Sequence, residues 1–201
     1  MEIFISVFIA YLLGSIPFAL VIGKIFYKID IRKYGSGNLG GTNAGRVLGK
    51  KAGVAVMVCD ILKVVLAVSI ASHFENKDVC CCLAGLAAAI GHCYPVFAHF
   101  RGGKAVAANL GYLIGIACFV YGNHWVYLLG AVVFLTFLYF TKMVSLSSMI
   151  FSISGTIYLF LTVTNKFPFI ASLILTILII YRHRSNIQRI ISGTENKITW
   201  I

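Results

Sequence analysis

Long apolar stretches separated by short polar ones dominate the pattern along this chain. Seven segments are apolar, and several are shorter than the ~20 residues that a full transmembrane helix needs. They cover residues 2–23, 53–72, 79–100, 105–121, 125–141, 145–163 and 167–181. The pattern predicts an all-α polytopic integral membrane protein with about seven transmembrane helices. We expect the third and fourth to be broken or tilted around residues 101–104, and a five-span count stays open.

Composition agrees with a membrane protein. Of 201 residues, 60% are hydrophobic and 11% are charged, and the mean hydropathy is +0.93. Soluble domains are about 45–50% apolar and about 25% charged. The length allows one compact domain, so we treat residues 1–201 as a single transmembrane domain. The first apolar segment lacks a basic residue before it and a small-residue cleavage site, so we expect a retained span rather than a signal peptide.

The formal net charge of +11 is distributed unevenly along the chain. If seven spans alternate, one side carries fourteen of the seventeen Lys and Arg residues and the other carries two, with Lys63 inside a span. The positive-inside rule then places the N-terminus outside and the C-terminus in the cytoplasm. Loop 24–52, loop 101–104 and tail 182–201 share the cytoplasmic face. Because the charge follows membrane topology, nucleic acid is not an expected partner.

The most unusual polar stretch is GSGNLGGTNAGR at residues 35–46. It satisfies G-x-G-x-x-G, but a membrane span precedes it where a dinucleotide site needs a strand. A P-loop is excluded because residue 44 is Ala and residue 51 is Lys. Consecutive glycine N–H groups can form a concavity that binds phosphate oxygens, and Ser, Asn, Thr and Arg side chains add donors. We therefore predict an anion site, with an ordinary flexible loop as the alternative.

Three further clusters are candidates for chemistry. Residues 100–104, Phe-Arg-Gly-Gly-Lys, suggest a second oxyanion cradle, with an ordinary positive-inside turn as the alternative. His92 precedes this turn, and its role as a ligand or a packing residue stays open. In the basic tail, His183 and Asn186 share one helix face and could orient a substrate hydroxyl. The alternative for the tail is an anchor to anionic lipid heads.

Other polar residues are interpreted as structural. Asp60 and Lys63 are three residues apart within a span, and we expect an ion pair rather than a catalytic dyad. His73 and Asp78 have the spacing found in a large class of acyltransferases, but they fall on the opposite loop and are taken as coincidence. The six cysteines have no metal-ligand spacing, and the run at 80–82 is expected to fill space.

These motifs together resemble the bacterial acyl-phosphate:glycerol-3-phosphate acyltransferase family, of the PlsY type. The resemblance extends through nearly the whole chain, in four separate places that occur in the same order. The matching residues are Gly14–Pro17 and Lys24; Asp30–Arg32, Gly35–Gly40 and Thr42–Arg46; Gly91, His92, Pro95, Phe97 and Phe100–Lys104; and His183, Asn186, Ile187, Arg189, Gly193 and Glu195.

The resemblance implies transfer of a fatty acyl group from acyl phosphate to the 1-hydroxyl of glycerol 3-phosphate, giving lysophosphatidic acid and phosphate. It implies a bacterial membrane location and no cofactor or metal. The implied catalytic residues are Ser36, Arg46, Lys104, His183 and Asn186. The implied substrate-binding residues are Gly37, Asn38, Gly40, Thr42, Asn43, His92, Gly102 and Gly103. Ser36, Arg46 and Lys104 would hold phosphate, Gly102 and Gly103 would approach the acyl phosphate, and Glu195 would be structural.

The chain also departs from the family pattern. Ala105 and Val64 replace glycines, Ala108 stands where Thr is common, and Gly41 stands where Ala is usual. Losing glycine restricts backbone with positive φ, so these departures bear on the binding of acyl phosphate. The alternatives are a catalytically weak or repurposed family member, or a transporter of a phosphorylated solute. Oligomeric state, acyl-chain preference and the identity of the base, His183 or a substrate phosphate, stay open.

Overall fold

In the computed structural model, which describes residues 1–199, the chain folds as a bundle of α-helices, and no strand occurs within those residues. The helices are α1 (Glu2–Gly14), α2 (Phe18–Phe26), α3 (Gly41–Val47), α4 (Lys50–Ala71), α5 (Lys77–Cys93), α6 (Val106–Ile116), α7 (Trp125–Thr141), α8 (Val144–Thr162), α9 (Phe167–Arg182) and α10 (Arg184–Ile191). Short 3₁₀ turns lie at Ile31–Lys33 and Val96–Ala98, and a π-helical turn, Ala117–Tyr121, continues α6.

The seven apolar segments all contain helix, which confirms the all-helical membrane fold. Within residues 1–199, four helical stretches are long and apolar enough to span a membrane: Glu2–Phe26, Lys50–Ala71, Lys77–Ala98 and Val144–Thr162. α9 and α10 make a fifth if their 58° bend is counted within one span. The stretches Val106–Tyr121 and Trp125–Thr141 are shorter apolar helices. The count of seven spans therefore stays a prediction.

The first apolar segment is broken, which its hydropathy did not reveal. α1 ends at Gly14 and α2 begins at Phe18, because Pro17 lacks the N–H that a continuous helix would use. The Ile16 carbonyl at this break accepts a hydrogen bond from Lys63 Nζ at 2.9 Å. The expected break near residues 101–104 is confirmed, since α5 ends at Cys93 and α6 begins at Val106.

α5 lies in the centre of the bundle and consists mainly of small side chains. Cys80, Cys81 and Cys82 are each at most 2% exposed and belong to the main hydrophobic core, in agreement with a space-filling role. Gly91 of α5 lies so close to α1 that an added Cβ would come within 3.0 Å of the Ser15 nitrogen. Small residues allow this close helix packing, which supplies much of the association energy in a membrane.

Successive connections between the helices lie at opposite ends of the bundle. At one end, the Ile198 N–H donates to the Lys142 carbonyl at 2.9 Å, which joins the tail to the α7–α8 turn. At the other end, Asn165 donates to Asp78 at 3.1 Å and the Tyr121 hydroxyl donates to the Thr162 carbonyl at 3.2 Å. Every second connection thus meets at the same end, as it must when consecutive helices run in opposite directions.

The short helix α3 rests on α4 through glycines. A Cβ added to Gly53 would lie 2.6 Å from the Gly45 Cα and 2.9 Å from the Gly41 carbonyl oxygen. The contact is asymmetric, because a Cβ on Gly45 would meet only the Gly53 Cα, at an ordinary 3.7 Å. The backbones of α3 and α4 are therefore in contact, and α4 fixes the position of the whole glycine-rich stretch.

This asymmetry predicts opposite results for two similar substitutions. Gly53→Ala should destabilise the protein by about 1–3 kcal/mol through overpacking and detach α3. Gly45→Ala, the matched control on the other side of the contact, should be tolerated, since alanine favours helix by about 1 kcal/mol. Unfolding in detergent and the rate of tryptic cleavage after Arg46 would measure both effects. Equal behaviour of the two variants would contradict the packing described.

Candidate active site

The side chain of Asn43 organises the glycine-rich stretch. Its Oδ1 accepts from the Ser36 N–H at 2.8 Å, and its Nδ2 donates to the carbonyls of Tyr34 at 3.2 Å and Asn38 at 3.1 Å. Asn43 is 2% exposed, so these internal bonds satisfy its amide. Asn43 was predicted to contact substrate. The structure shows it shaping the loop around its own side chain.

The other predicted residues of this stretch surround that buried amide. Ser36, Thr42 and Arg46 are exposed, while Gly37, Asn38 and Gly40 are half-buried. Gly37 has φ +68°, a left-handed conformation that favours glycine. Thr42 and Arg46 are four residues apart on α3 and so point from the same face. The exposed hydroxyls and guanidinium are therefore available to a ligand.

The second glycine motif is a tightly packed turn. Gly102 and Gly103 are both buried, and the Gly103 N–H donates to the His92 carbonyl at 3.0 Å. A Cβ on Gly103 would overlap the His92 ring, and a Cβ on Gly102 would lie 2.5 Å from Pro95 Cδ. Both positions require glycine for reasons of space. The turn leads directly into α6, whose first N–H groups have no partner within the helix and form a favourable environment for an anion.

Backbone strain collects around this turn. Three non-glycine residues have left-handed φ: His99 at +54°, Phe100 at +58° and Ala105 at +61°. Such a conformation costs roughly 1–2 kcal/mol for a residue with a Cβ. Ala105, which replaces a glycine of the family pattern, keeps the glycine-like geometry and is fully buried at the start of α6. Ala105 therefore adopts a conformation that favours glycine, at the cost of backbone strain.

Lys104 joins the turn to the C-terminal motif. Its Nζ donates to Asn186 Oδ1. The Asn186 Nδ2 donates in turn to Glu195 Oε1 at 2.6 Å, so the amide orientation is fixed. Glu195 also accepts from the Ser145 hydroxyl at 2.7 Å and from Arg189 Nε at 2.8 Å. Although burial opposes it, these three hydrogen bonds hold the pKa of Glu195 below its usual value.

The electrostatics around Lys104 are those of an anion site. Burial, together with the positive charges of Arg189, Arg182 and Arg46, lowers the pKa of Lys104 to about 8, against the opposing effect of Glu195. Arg46 is thus close enough to influence Lys104, which connects the glycine-rich stretch with the turn. Lys104 and these three arginines are four positive charges with Glu195 as the neighbouring negative charge, and an incoming phosphate would balance the excess.

His183 is buried and neutral at physiological pH. Burial lowers its pKa to about 4, with the charge of Lys104 acting in the same direction against a backbone hydrogen bond from the ring. Its Nδ1 lies 2.8 Å from the Ile179 carbonyl oxygen, which can only accept. The hydrogen therefore sits on Nδ1, and Nε2 carries a free lone pair. This tautomer can accept a proton from a hydroxyl group.

His92 belongs to a buried polar cluster beneath the glycine turn. Lys63 Nζ lies 2.8 Å from Asp60 Oδ1, which confirms the expected ion pair, and 3.2 Å from His92 Nδ1. All three side chains are at most 6% exposed. The His92 ring lies against Gly103 from within the protein and supports the turn, and the contact with substrate that the family resemblance implies stays a prediction.

His73 and Asp78 do not form a catalytic pair in this structure. The His73 Nδ1 contacts the carbonyl of Ser69 in the last turn of α4 at 2.9 Å, while Asp78 bonds Asn165 at the end of the bundle opposite to Lys104. Each side chain thus has its own partner. The interpretation of their spacing as coincidence agrees with this geometry.

Two residues that bond the candidate site were not predicted from the sequence. Ser145, at the start of α8, bonds Glu195 from 50 residues away, and Arg182 donates to both glycine carbonyls of the turn. A serine in an apolar helix carries no distinctive signal, and Arg182 was counted only as a charge. Within residues 1–199, no group of three or more His, Cys, Asp or Glu side chains is arranged to hold a metal ion.

The comparisons with known proteins are consistent along the whole chain. Residues 4–193 match the family model described as glycerol-3-phosphate acyltransferase. A protein of that name from Bacillus cytotoxicus is 50% identical over 194 residues, covering 96% of this chain and 94% of the relative. Another from Bacillus subtilis (strain 168) is 47% identical over 201 residues, covering both chains completely.

Solved structures show the same architecture. Two crystal structures of PlsY, an integral membrane glycerol 3-phosphate acyltransferase, are each 38% identical to this chain. They cover 99% of this chain and 96% of the PlsY chain. The glycerol 3-phosphate form has a TM-score of 0.91 and the lysophosphatidic acid form one of 0.89.

The buried cluster beneath the turn yields a stability prediction. Lys63→Met leaves the Asp60 carboxylate without its ammonium partner and should destabilise the protein by about 3 kcal/mol. The double variant Asp60→Asn/Lys63→Met removes both charges and should recover much of that loss. Lys77→Met, at an exposed lysine, serves as the control. Unfolding in mixed micelles would measure the three variants, and equal stability of Lys63→Met and Lys77→Met would refute a structural ion pair.

Proposed function

The chain belongs to the glycerol-3-phosphate acyltransferase family, and from this premise we propose that its acyl donor is an acyl phosphate. The products are lysophosphatidic acid and inorganic phosphate. The observation that carries the proposal is a cluster of four cations, Lys104 with Arg46, Arg182 and Arg189, which contains one carboxylate and lies between two glycine motifs. Both substrates carry phosphate, and a site with this excess of positive charge suits two anions better than one.

The chemistry requires little covalent participation from the protein. An acyl phosphate is a mixed anhydride, so its carbonyl carbon is already activated. The 1-hydroxyl oxygen of glycerol 3-phosphate forms the new ester bond, and the anhydride C–O bond breaks with its electrons leaving on phosphate. Orientation and stabilisation of negative charge are then the main requirements. No acyl-enzyme is needed, because the donor already presents a good leaving group.

The side chains divide into two groups in this proposal. Ser36, Arg46 and Lys104 hold phosphate oxygens, with free N–H groups at the start of α6 assisting. Gly102 and Gly103 let the backbone approach the acyl phosphate, which a Cβ would prevent. His183 and Asn186 position glycerol 3-phosphate from the other side of Lys104.

The hydroxyl proton has two candidate acceptors. His183 Nε2 is unprotonated at pH 7 and buried next to Lys104, so it can act as a general base. A phosphate oxygen of the substrate can do so instead, since it would lie within the same cluster. Because the pKa of His183 is about 4, its neutral form persists across the physiological range under either assignment.

We also propose the topology predicted from the charges. The chain is one transmembrane domain of seven spans, with the N-terminus outside and the active face on the cytoplasmic side. In support, loop 24–52, turn 101–104 and tail 182–201 converge near Lys104, and they hold most of the cations. Residues 200 and 201 of that tail lie outside the described residues. A site at this interface can hold phosphates in water while the acyl chain stays in the bilayer.

The alternative of a catalytically weak family member finds little support in the site. Ala105 retains the left-handed conformation, with φ +61°. Val64 is fully buried and packs against Gly111 of α6, away from the glycine turn. Ala108 is also fully buried, within the helix rather than at its first turn. These departures are absorbed by packing and backbone strain.

Phosphate release by the purified protein tests the donor assignment. Palmitoyl phosphate with glycerol 3-phosphate should give phosphate and lysophosphatidic acid, whereas either substrate alone should not. Arg46→Ala should reduce turnover by about 100-fold, because it removes a positive charge that would stabilise the negative charge on the leaving phosphate. His73→Ala, the control histidine, should keep turnover within about twofold, since the side chain is exposed and bonds the Ser69 carbonyl near the end of α4.

Two outcomes would count against the proposal in different ways. Equal turnover with acyl-CoA would reject the acyl-phosphate assignment while leaving the family activity intact. Absence of turnover with every donor, in protein that is demonstrably folded, would favour the weak family member.

The lowered pKa of Lys104 predicts an alkaline limit to substrate binding. With a pKa of about 8 in the free enzyme, Lys104 is charged below pH 7 and loses its charge as the pH rises through 8. The KM for the acyl phosphate should then rise by about tenfold per pH unit above that pKa. The second pKa of a phosphate monoester is about 6, and the phosphate of an acyl phosphate is more acidic still, so ionisation of neither substrate can produce this limb.

Lys104→Arg provides the decisive comparison for this pH dependence. Arginine stays protonated, so the alkaline limb should move beyond the measured range, whatever the absolute activity of the variant. Lys33→Arg, at an exposed position of loop 24–52, should leave the limb unchanged. Persistence of the limb in Lys104→Arg would assign it to another group.

A further inference from the structure

Arg182 makes a connection that neither the motif comparison nor the proposed roles explain. It is the last residue of α9 and lies directly before His183. Its Nε donates to the Gly103 carbonyl at 3.1 Å and its Nη2 to the Gly102 carbonyl at 3.0 Å. The guanidinium also lies over the Tyr94 ring, 5.2 Å from the ring centroid. One planar side chain thus bridges the end of α9 and a turn 80 residues earlier.

These two bonds determine which backbone groups of the turn can face a ligand. In a trans peptide, the C=O and the following N–H point in opposite directions. The Gly102 carbonyl bonds Arg182, and the N–H of the same peptide, on Gly103, bonds the His92 carbonyl. The Gly103 carbonyl also bonds Arg182, so the Lys104 N–H points to the opposite side. Within residues 1–199, no acceptor bonds that N–H.

The geometry points to Arg182 as a positioning residue for the glycine turn. We propose that its fork holds both carbonyls away from the reaction site and presents the Lys104 N–H to the phosphate of the acyl donor. This role rests on the proposed acyl-phosphate donor and extends it to a residue outside the four motifs. Arg182 does not act as a phosphate ligand here, because Nε and Nη2 are engaged with carbonyl oxygens.

The rival explanation is that Arg182 contributes only positive charge to the anion site. The two explanations predict different results when lysine replaces Arg182. Lysine keeps the charge but presents a single ammonium with no planar fork, so it cannot hold two successive carbonyls in one plane. Arg182→Lys therefore separates geometry from charge. Arg184→Lys is the matched control, since Arg184 is exposed two residues later and stacks on Tyr181 at 4.9 Å.

The experiment is a steady-state comparison of the two variants in detergent, with each substrate varied separately. Arg182→Lys should lower kcat/KM for palmitoyl phosphate by about 10- to 100-fold, the loss expected from displacement of a binding group by about 1 Å. The KM for glycerol 3-phosphate should change by less than about threefold, because His183 Nδ1 stays bonded to the Ile179 carbonyl and Asn186 Nδ2 to Glu195, and Arg182 takes part in neither bond. Arg184→Lys should match the wild type in both parameters.

The outcomes separate this inference from the donor assignment. Wild-type turnover that does not require acyl phosphate contradicts the donor assignment, and the inference falls with it. Wild-type turnover with acyl phosphate and a normal Arg182→Lys variant overturns the positioning role alone. An equal rise in both KM values indicates general disruption and also overturns it.

A second variant covers the case in which Arg182→Lys does not fold. Tyr94→Leu removes the ring beneath the guanidinium and leaves Arg182 and the Tyr94 carbonyl in place. Its KM for palmitoyl phosphate should rise by a smaller factor of about 3 to 10, with the KM for glycerol 3-phosphate unchanged. An unchanged KM for palmitoyl phosphate in Tyr94→Leu would reject the proposal.

Discussion

The candidate site depends on a buried lysine that is bonded to several parts of the chain at once. Lys63 Nζ donates to the Ile16 carbonyl at the break between α1 and α2, pairs with Asp60, and contacts His92. The backbone carbonyl of His92 accepts a hydrogen bond from the Gly103 N–H, and the His92 ring lies under the turn. A buried charge is tolerated in a membrane only when it is paired and hydrogen-bonded. The need to satisfy Lys63 therefore fixes α2, α4, α5 and the glycine turn relative to one another.

Above this support, the structure accepts unfavourable interactions that a ligand would relieve. Burial and the neighbouring arginines lower the pKa of Lys104 to about 8, and three residues around the glycine turn have left-handed backbone. Both features oppose folding, and both occur where two glycine motifs meet. Strain and repulsion of this kind concentrate at functional sites because the arrangement that binds best is not the one that is most stable. A bound phosphate compensates the charge, and the packing around Ala105 maintains the strained turn.

The sequence predicted the broad architecture because hydropathy reports it directly. Seven apolar segments, the break near residues 101–104 and the Asp60–Lys63 pair all follow from local pattern and spacing. Pro17 is a local signal for the break between α1 and α2, but the hydropathy of the first segment is continuous and predicts a single helix. The roles of Asn43 and His92 were less accessible. Both side chains look available to a ligand, and only the folded chain shows the Asn43 amide bonded to neighbouring backbone and the His92 ring beside Lys63 and Asp60.

Arg182 marks the limit of motif-based reasoning most clearly. Its partners are 79 and 80 residues away, and they are carbonyl groups, which every residue possesses and no sequence pattern distinguishes. A motif identifies side chains that meet a substrate, whereas the geometry of this turn is set by a side chain that meets only backbone. In a site that supplies orientation and charge instead of a covalent nucleophile, such a residue affects the reaction as directly as a ligand does. Residues that contact the substrate and residues that contact only the backbone of the site therefore differ in their partners, but both groups determine how well the acyl phosphate is placed.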